Sequence, residues 1–399
     1  MTDYVRHDLR IEPARDELSR QRFVSEMRRH ILGDLAREMR SAYDKRVEPA
    51  IVREKGRTPE DGVEVHRGMR GERAYRFYSA MRVNCQKLVW RSVIPTIERN
   101  LKDLNRKVAA TGANGGGHGG SLRLDPLVQT PSYVANHDVH LMPGCYHTEY
   151  GHGDAAAGAL YDNGTAVFSM GLFGNERDDI GTSIARFVSL RFPQFHPLRI
   201  LDMGCSIGSN TVPWAGAFPE AEVHAVDVAA PLLRYAHARA EVLGARVHYR
   251  QMDAAQCDFG SEPGFDIIWS SMFLHELPPK QVRAVFREAH RLLRPGGLML
   301  HMELPPNCRT VPYESFYFDW DSYYNQEPYY KAFRDMRPID CCAAAGFDES
   351  KFMEFIVPSL ARNGEQELRD YVSRQDITVD ENTGRLVPSI RWYCFGAWK

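Results

Sequence analysis

The stretch that most constrains this chain is Arg199–Ile200–Leu201–Asp202–Met203–Gly204–Cys205–Ser206–Ile207–Gly208–Ser209–Asn210–Thr211. An apolar run enters Asp-x-Gly-x-Ser-x-Gly, and a segment able to continue as a helix follows from Thr211, so the spacing predicts strand, tight turn, helix. Glycine suits such a turn because it accepts positive φ and places no Cβ between backbone and ligand. The helix start beyond it offers unpaired N–H groups to a polar ligand. Alone, such a turn serves many nucleotides and also occurs without any ligand.

Four further units follow in order. Glu222–Val223–His224–Ala225–Val226–Asp227 reads as a short strand ending in a carboxylate that can accept two hydrogen bonds from a ribose diol. Tyr249 to Ala254, Phe265 to Ser271 and Leu292 to Leu300 supply the next three. Alternating units of this kind build a mostly parallel sheet with helices on both faces, whose ligands sit at the carboxyl ends of the strands. Lys351 to Val357 and Ser389 to Trp398 suit the last two strands, the terminal one antiparallel.

On these motifs residues 198–399 resemble the class I S-adenosylmethionine-dependent methyltransferases. The glycine-turn motif is Asp202, Gly204, Ser206 and Gly208, the second-strand acid Asp227, the third-strand acid Asp253, and the Leu-x-Pro-Gly-Gly turn Leu293–Arg294–Pro295–Gly296–Gly297. Ser206 stands where glycine is most usual, and serine is small enough to be tolerated there. The resemblance implies an α/β, Rossmann-like, doubly wound, mostly parallel seven-stranded sheet, with S-adenosyl-L-methionine as the methyl-donor cosubstrate. It further implies that Gly204, Cys205, Ser206 and Gly208 approach the methionine part, Asp227 with Val228 the ribose, and Met252, Asp253 and Ala254 the adenine. Ser270 would offer its backbone near the methionine amine. Asp227 also suits a helix N-cap and Asp253 a turn.

Methyl transfer is an in-line displacement, so the protein has to align nucleophile, methyl and sulfur and exclude water. An oxygen or nitrogen acceptor can also need a base. His275, in Met272–Phe273–Leu274–His275–Glu276–Leu277 after the fourth strand, is the first candidate, with Glu276 to orient it and His147 as second choice. A thiol acceptor would need no base.

The rest of the chain divides by composition. Residues 1–110 read as a helical region: Phe23, Val24, Met27, Ile31, Leu35, Met39 and Tyr43 recur at helical steps, and a second helical stretch from Glu72 to Lys107 is divided by Pro95. Residues 111–121 form a glycine-rich flexible loop. Residues 122–197 form a segment on the substrate side, in which Tyr161–Asp162–Asn163–Gly164 reads as a hairpin turn and Thr165 to Phe168 as its returning strand. This segment gathers His137, Asp138, His140, Cys145, His147, Glu149, His152 and Asp154. The group suits a metal site, a substrate-facing loop or ordinary packing; it lacks helical His-x-x-x-His or Cys-x-x-Cys spacing, and no metal is expected. Tyr313 to Tyr330 is rich in aromatic residues and reads as a pocket wall or as a patch packing on the N-terminal helices or a second subunit, which leaves a homo-oligomer open.

A chain of 399 residues, 43% hydrophobic and 26% charged, can bury a large core. A net charge of −2 gives no global attraction to nucleic acid or an anionic membrane. Without a sustained apolar run or a signal peptide at the start, the expectation is a soluble cytoplasmic protein. The eight cysteines, including adjacent Cys341 and Cys342, suit a reduced compartment. The function expected is methyl transfer to a small-molecule O, N, S or C nucleophile. The alternative is a protein or RNA methyltransferase that recognises its target through the helical region, although interleaved charges argue against nucleic acid.

Overall fold

A computed structural model describes residues 7–9, 11–113, 118–374 and 377–399. Its centre is one eight-stranded sheet of order β1-β4-β3-β2-β5-β6-β8-β7. The strands are β1 (Ser121–Arg123), β2 (Arg199–Met203), β3 (Glu222–Asp227), β4 (Val247–Gln251), β5 (Phe265–Ser271), β6 (Leu293–Glu303), β7 (Phe352–Pro358) and β8 (Arg391–Trp398). All pairings are parallel except those of β8 with β6 and β7. The central strands β2, β3 and β5 are almost continuously buried because helices cover both faces. The sheet exceeds the expected seven strands by β1, which follows the glycine-rich segment and pairs with the edge of β4. Residues 114–117 of that segment lie outside the described residues.

Three local expectations are corrected. The stretch Tyr161 to Phe168 is not a hairpin but part of the helix Ala156–Phe168. Its glycines permit close helix crossings: a Cβ on Gly164 would lie 2.2 Å from the Trp90 ring, and one on Gly158 2.3 Å from Tyr235 Cβ. Pro95 does not divide its helix, which runs from Arg73 to Ala113 with the proline inside. Trp90, Val93 and Ile97 on either side of it are buried, so packing offsets the lost hydrogen bond. In the first helix, Arg15–His30, Val24 is buried as the periodicity requires, but Phe23 is 65% exposed.

The N-terminal helices and the aromatic insertion share one core. Tyr313, Phe316, Tyr317, Phe318 and Trp320 of the helix Pro312–Tyr324 pack with Tyr75, Tyr78, Val89 and Trp90 of the long helix. Polar bonds fix the register between them: the Tyr78 and Tyr317 hydroxyls are 2.9 Å apart, and the Trp320 indole donates to Ser79 Oγ at 3.0 Å. Tyr317, Phe318 and Tyr330 also line the cavity described below, so the insertion is both pocket wall and packing surface. Among the described residues no helix is long and apolar enough to cross a membrane.

Candidate active site

A cavity of about 300 Å³ opens at the carboxyl ends of β2, β3, β4 and β5 and extends under the helices outside the sheet. Its floor is the glycine turn. Gly204 (φ +75°) and Cys205 both donate their N–H to Val226 O, at 2.9 and 3.0 Å, which binds the turn to β3. A Cβ at Gly204 would lie 2.2 Å from the Phe273 ring. Gly204→Ala therefore meets both a clash and an unfavourable φ, and is expected to cost about 1–3 kcal/mol, read as a lower thermal midpoint. Ser206 departs from glycine at a price the sequence did not reveal, because it too is left-handed, with φ +50°. Met272, after β5, repeats this at φ +50°. Non-glycine residues held there are strained, and both line the cavity.

Asp227 closes β3 beside the turn. Its carboxylate accepts from Ser206 N and Ala229 N, each at 2.9 Å. Among the described residues it has no ion-pair partner, and burial raises its pKa against the pull of these N–H groups. It faces the cavity with Val228, Gly204, Cys205 and Ser206. Met252, Asp253 and Ala254, at the end of β4, line the same wall, and Met252 N donates to Asp227 O at 3.0 Å. Tyr133 lies against both acids, whose charges together with burial raise its pKa.

Four of the residues chosen from the sequence do not line this cavity. Asp202 is buried beneath the turn, where its carboxylate accepts from Thr211 Oγ1 at 2.5 Å; burial pushes it up to about 7 despite that bond. Gly208 (φ +69°) is also internal, because a Cβ there would meet the Tyr249 hydroxyl at 2.3 Å. Ser270 is fully buried against His301, with Oγ 2.7 Å from Nδ1, and Ser271 faces the cavity in its place. His147 sits outside the lining. Of the eight ligand-type residues in that segment, His140 alone reaches the cavity. Others hold the segment in place: Glu149 pairs with Arg234 of the helix Ala230–Val242, Asp138 accepts from Gly144 N, and Asp154 accepts from Ala156 N. Among the described residues no group of three His, Cys, Asp or Glu side chains is arranged to hold a metal ion.

Beyond the turn the cavity contains a polar cluster that sequence spacing could not assemble. His275 Nδ1 lies 2.5 Å from Glu303 Oε2 at the end of β6, and its ring stacks on Tyr330 at 4.0 Å. The other oxygen of Glu303 accepts from Phe273 N and Leu274 N, at 2.9 and 2.6 Å, so one carboxylate orders the whole loop after β5. His140 Nε2 is 3.3 Å from Glu276, and its Nδ1 is 3.3 Å from Glu327. Tyr146 donates to Glu276 at 3.1 Å. His140 is itself left-handed (φ 58°), and its carbonyl is held by Trp90 Nε1 at 2.6 Å and Gln86 Nε2 at 2.9 Å.

Burial opposes charge on both imidazoles, but the surrounding carboxylates outweigh it. Glu303, with Glu276 and Glu327 farther off, raises His275 to about 9, and Glu327 with Glu276 raises His140 to about 10. The carboxylates around it thus favour the protonated form of His275. Both folded-state values lie above the unfolded value, so their stabilisation is complete below about pH 6.5 and is lost as pH rises through about 9 to 10. The thermal midpoint should fall over that window, and less steeply in His140→Gln than in the parent.

A methyltransferase domain family model matches residues 200–297. A demethylmenaquinone methyltransferase of Thermus thermophilus is 30% identical over 110 residues, which cover 28% of this chain and 49% of that protein. A trans-aconitate 2-methyltransferase of Methylobacterium radiotolerans is 31% identical over 130 residues, or 33% of this chain and 46% of that protein. The chain spans about half the length of the curated relatives it matches. Among solved structures, Haemonchus contortus phosphoethanolamine N-methyltransferase 2 in complex with S-adenosyl-L-methionine is 24% identical, with 59% of this chain and 57% of that chain covered and a TM-score of 0.38.

Proposed function

We propose that the C-terminal half of this chain, whose residues 200–297 match a methyltransferase domain family model, is a class I S-adenosylmethionine-dependent methyltransferase domain and that the protein methylates a small-molecule nucleophile. The carrying observation is Asp227, a carboxylate without a cation partner among the described residues, facing the cavity across the strained Ser206 turn. When bound, S-adenosylmethionine supplies a methyl group activated by its sulfonium. Asp227 accepts the ribose hydroxyls, while Asp253, Met252 and Ala254 flank the adenine. Ser206, whose buried Oγ has no hydrogen-bond partner among the described residues, offers that hydroxyl to the same ligand. Asp202, Gly208 and Ser270 act one layer back, by shaping the strand ends.

Buried side chains of the long helix and the aromatic insertion wall the acceptor end, which favours a small acceptor over a protein or RNA. Demethylmenaquinone and trans-aconitate, named for two of the relatives, are small molecules as well. His275 and Glu303 keep the loop after β5 in place. Glu327, whose buried Oε2 has no hydrogen-bond partner among the described residues, receives the proton an oxygen or nitrogen acceptor releases. Calorimetric titration with S-adenosylhomocysteine tests the donor assignment, and an acceptor screen read by S-adenosylhomocysteine formation tests the activity. Saturable binding at one site is expected; failure to bind would overturn the reading.

A further inference from the structure

Among the described residues three arginines line the cavity, and two of them are neutralised. Arg177 Nε donates to Asp162 at 2.7 Å, and Arg385 pairs with Glu314. Arg28 is different. It is 1% exposed, yet no carboxylate among the described residues lies within ion-pairing distance of it. Its Nη1 donates to Gln86 Oε1 at 3.0 Å, and its Nε has no hydrogen-bond partner among the described residues. The nearby acid, Asp321, is already engaged by two bonds from Arg82, at 2.6 and 3.0 Å. Arg82 also donates to the same Gln86 oxygen, at 3.0 Å. Burial and the neighbouring Arg82 push Arg28 down to about 9 against the weaker pull of Asp321, so at neutral pH it remains a cation with no carboxylate in contact among the described residues.

A buried guanidinium in that state is costly, and the cost is recovered when an anion completes it. The location is specific. The guanidinium carbon lies 3.9 Å from the Phe168 ring centroid, and the same ring is 6.5 Å from His140. Arg28 therefore faces the cavity one aromatic ring away from the cluster that contains Glu327. We propose that Arg28 anchors an anionic group, a carboxylate or a phosphate, on the methyl acceptor. This rests on the methyltransferase reading and adds a substrate class to it. The planar fork of arginine suits either anion, and with the anion held at Arg28 the nucleophile is directed toward Glu327 and the donor rim.

The test uses the full-length protein saturated with S-adenosylhomocysteine, titrated with four probes of similar size: benzoate, phenyl phosphate, benzamide and benzylamine. One or both anions should bind about tenfold or more tightly than the neutral and cationic probes, and which one does so separates carboxylate from phosphate. Arg28→Met should abolish that preference while leaving S-adenosylhomocysteine affinity unchanged. Its thermal midpoint without probe should be no lower than that of the parent, which a structural arginine would not allow. If Arg28→Met does not fold, Arg28→Gln, which keeps a donor toward Gln86, takes its place. Failure of both anions to bind, equal binding of all four probes, or a preference retained in the variant would overturn the proposal. Loss of S-adenosylhomocysteine binding by the parent would instead overturn the methyltransferase reading beneath it.

Discussion

Asp227→Ala is expected to weaken S-adenosylhomocysteine binding several hundredfold. Two hydrogen bonds from ribose hydroxyls to a buried carboxylate contribute about 3–4 kcal/mol together, which converts to that factor. The same substitution removes the acceptor for Ser206 N and Ala229 N, at 2.9 Å each, so part of the loss would come from a turn no longer held in its left-handed shape. Asp227→Asn separates the two contributions, because it retains an oxygen for one of those N–H groups. Calorimetry should place it between the parent and the alanine variant. Undiminished affinity in Asp227→Ala would remove this residue from the donor site.

Glu327→Gln should leave S-adenosylhomocysteine affinity within about twofold and lower kcat by about 10² to 10⁴ with an oxygen or nitrogen acceptor from the screen. The side chain stays close to isosteric, and the loss falls on the proton step. The pH profile gives a second readout: with one carboxylate fewer beside it, His140 should titrate at lower pH than in the parent, where it is raised to about 10. An unchanged kcat would exclude Glu327 from proton transfer and leave the cluster a positioning role.

The sheet and the gathering of the motif residues at one rim of it were legible because both are encoded locally. A glycine turn after an apolar run, and acids at the ends of the next two strands, need only short segments to be recognised, and the fold brings those segments to one edge. What the motif could not reveal is which of its members face the ligand. Asp202 and Gly208 belong to the pattern because the turn must close on Thr211 and Tyr249. The polar cluster was not legible, because His140, Glu276 and Glu327 come from three distant places and meet only through packing. Glycine misled once: Asn163–Gly164 has the composition of a hairpin turn, yet Gly164 serves as a seat for Trp90 inside a helix. β1 escaped notice because three residues at a sheet edge carry no periodicity of their own.

The bonds between the long helix and the aromatic insertion, Tyr78 to Tyr317 and Arg82 to Asp321, divide the labour within the chain. The half of the cavity proposed to read the donor is built from consecutive strand ends, whereas the half proposed to read the acceptor is a roof joined from two remote segments. On that proposal, mutational drift in the roof would retune which molecules are accepted while the strand-end half stays as it is, so one base plate would serve a succession of different chemistries.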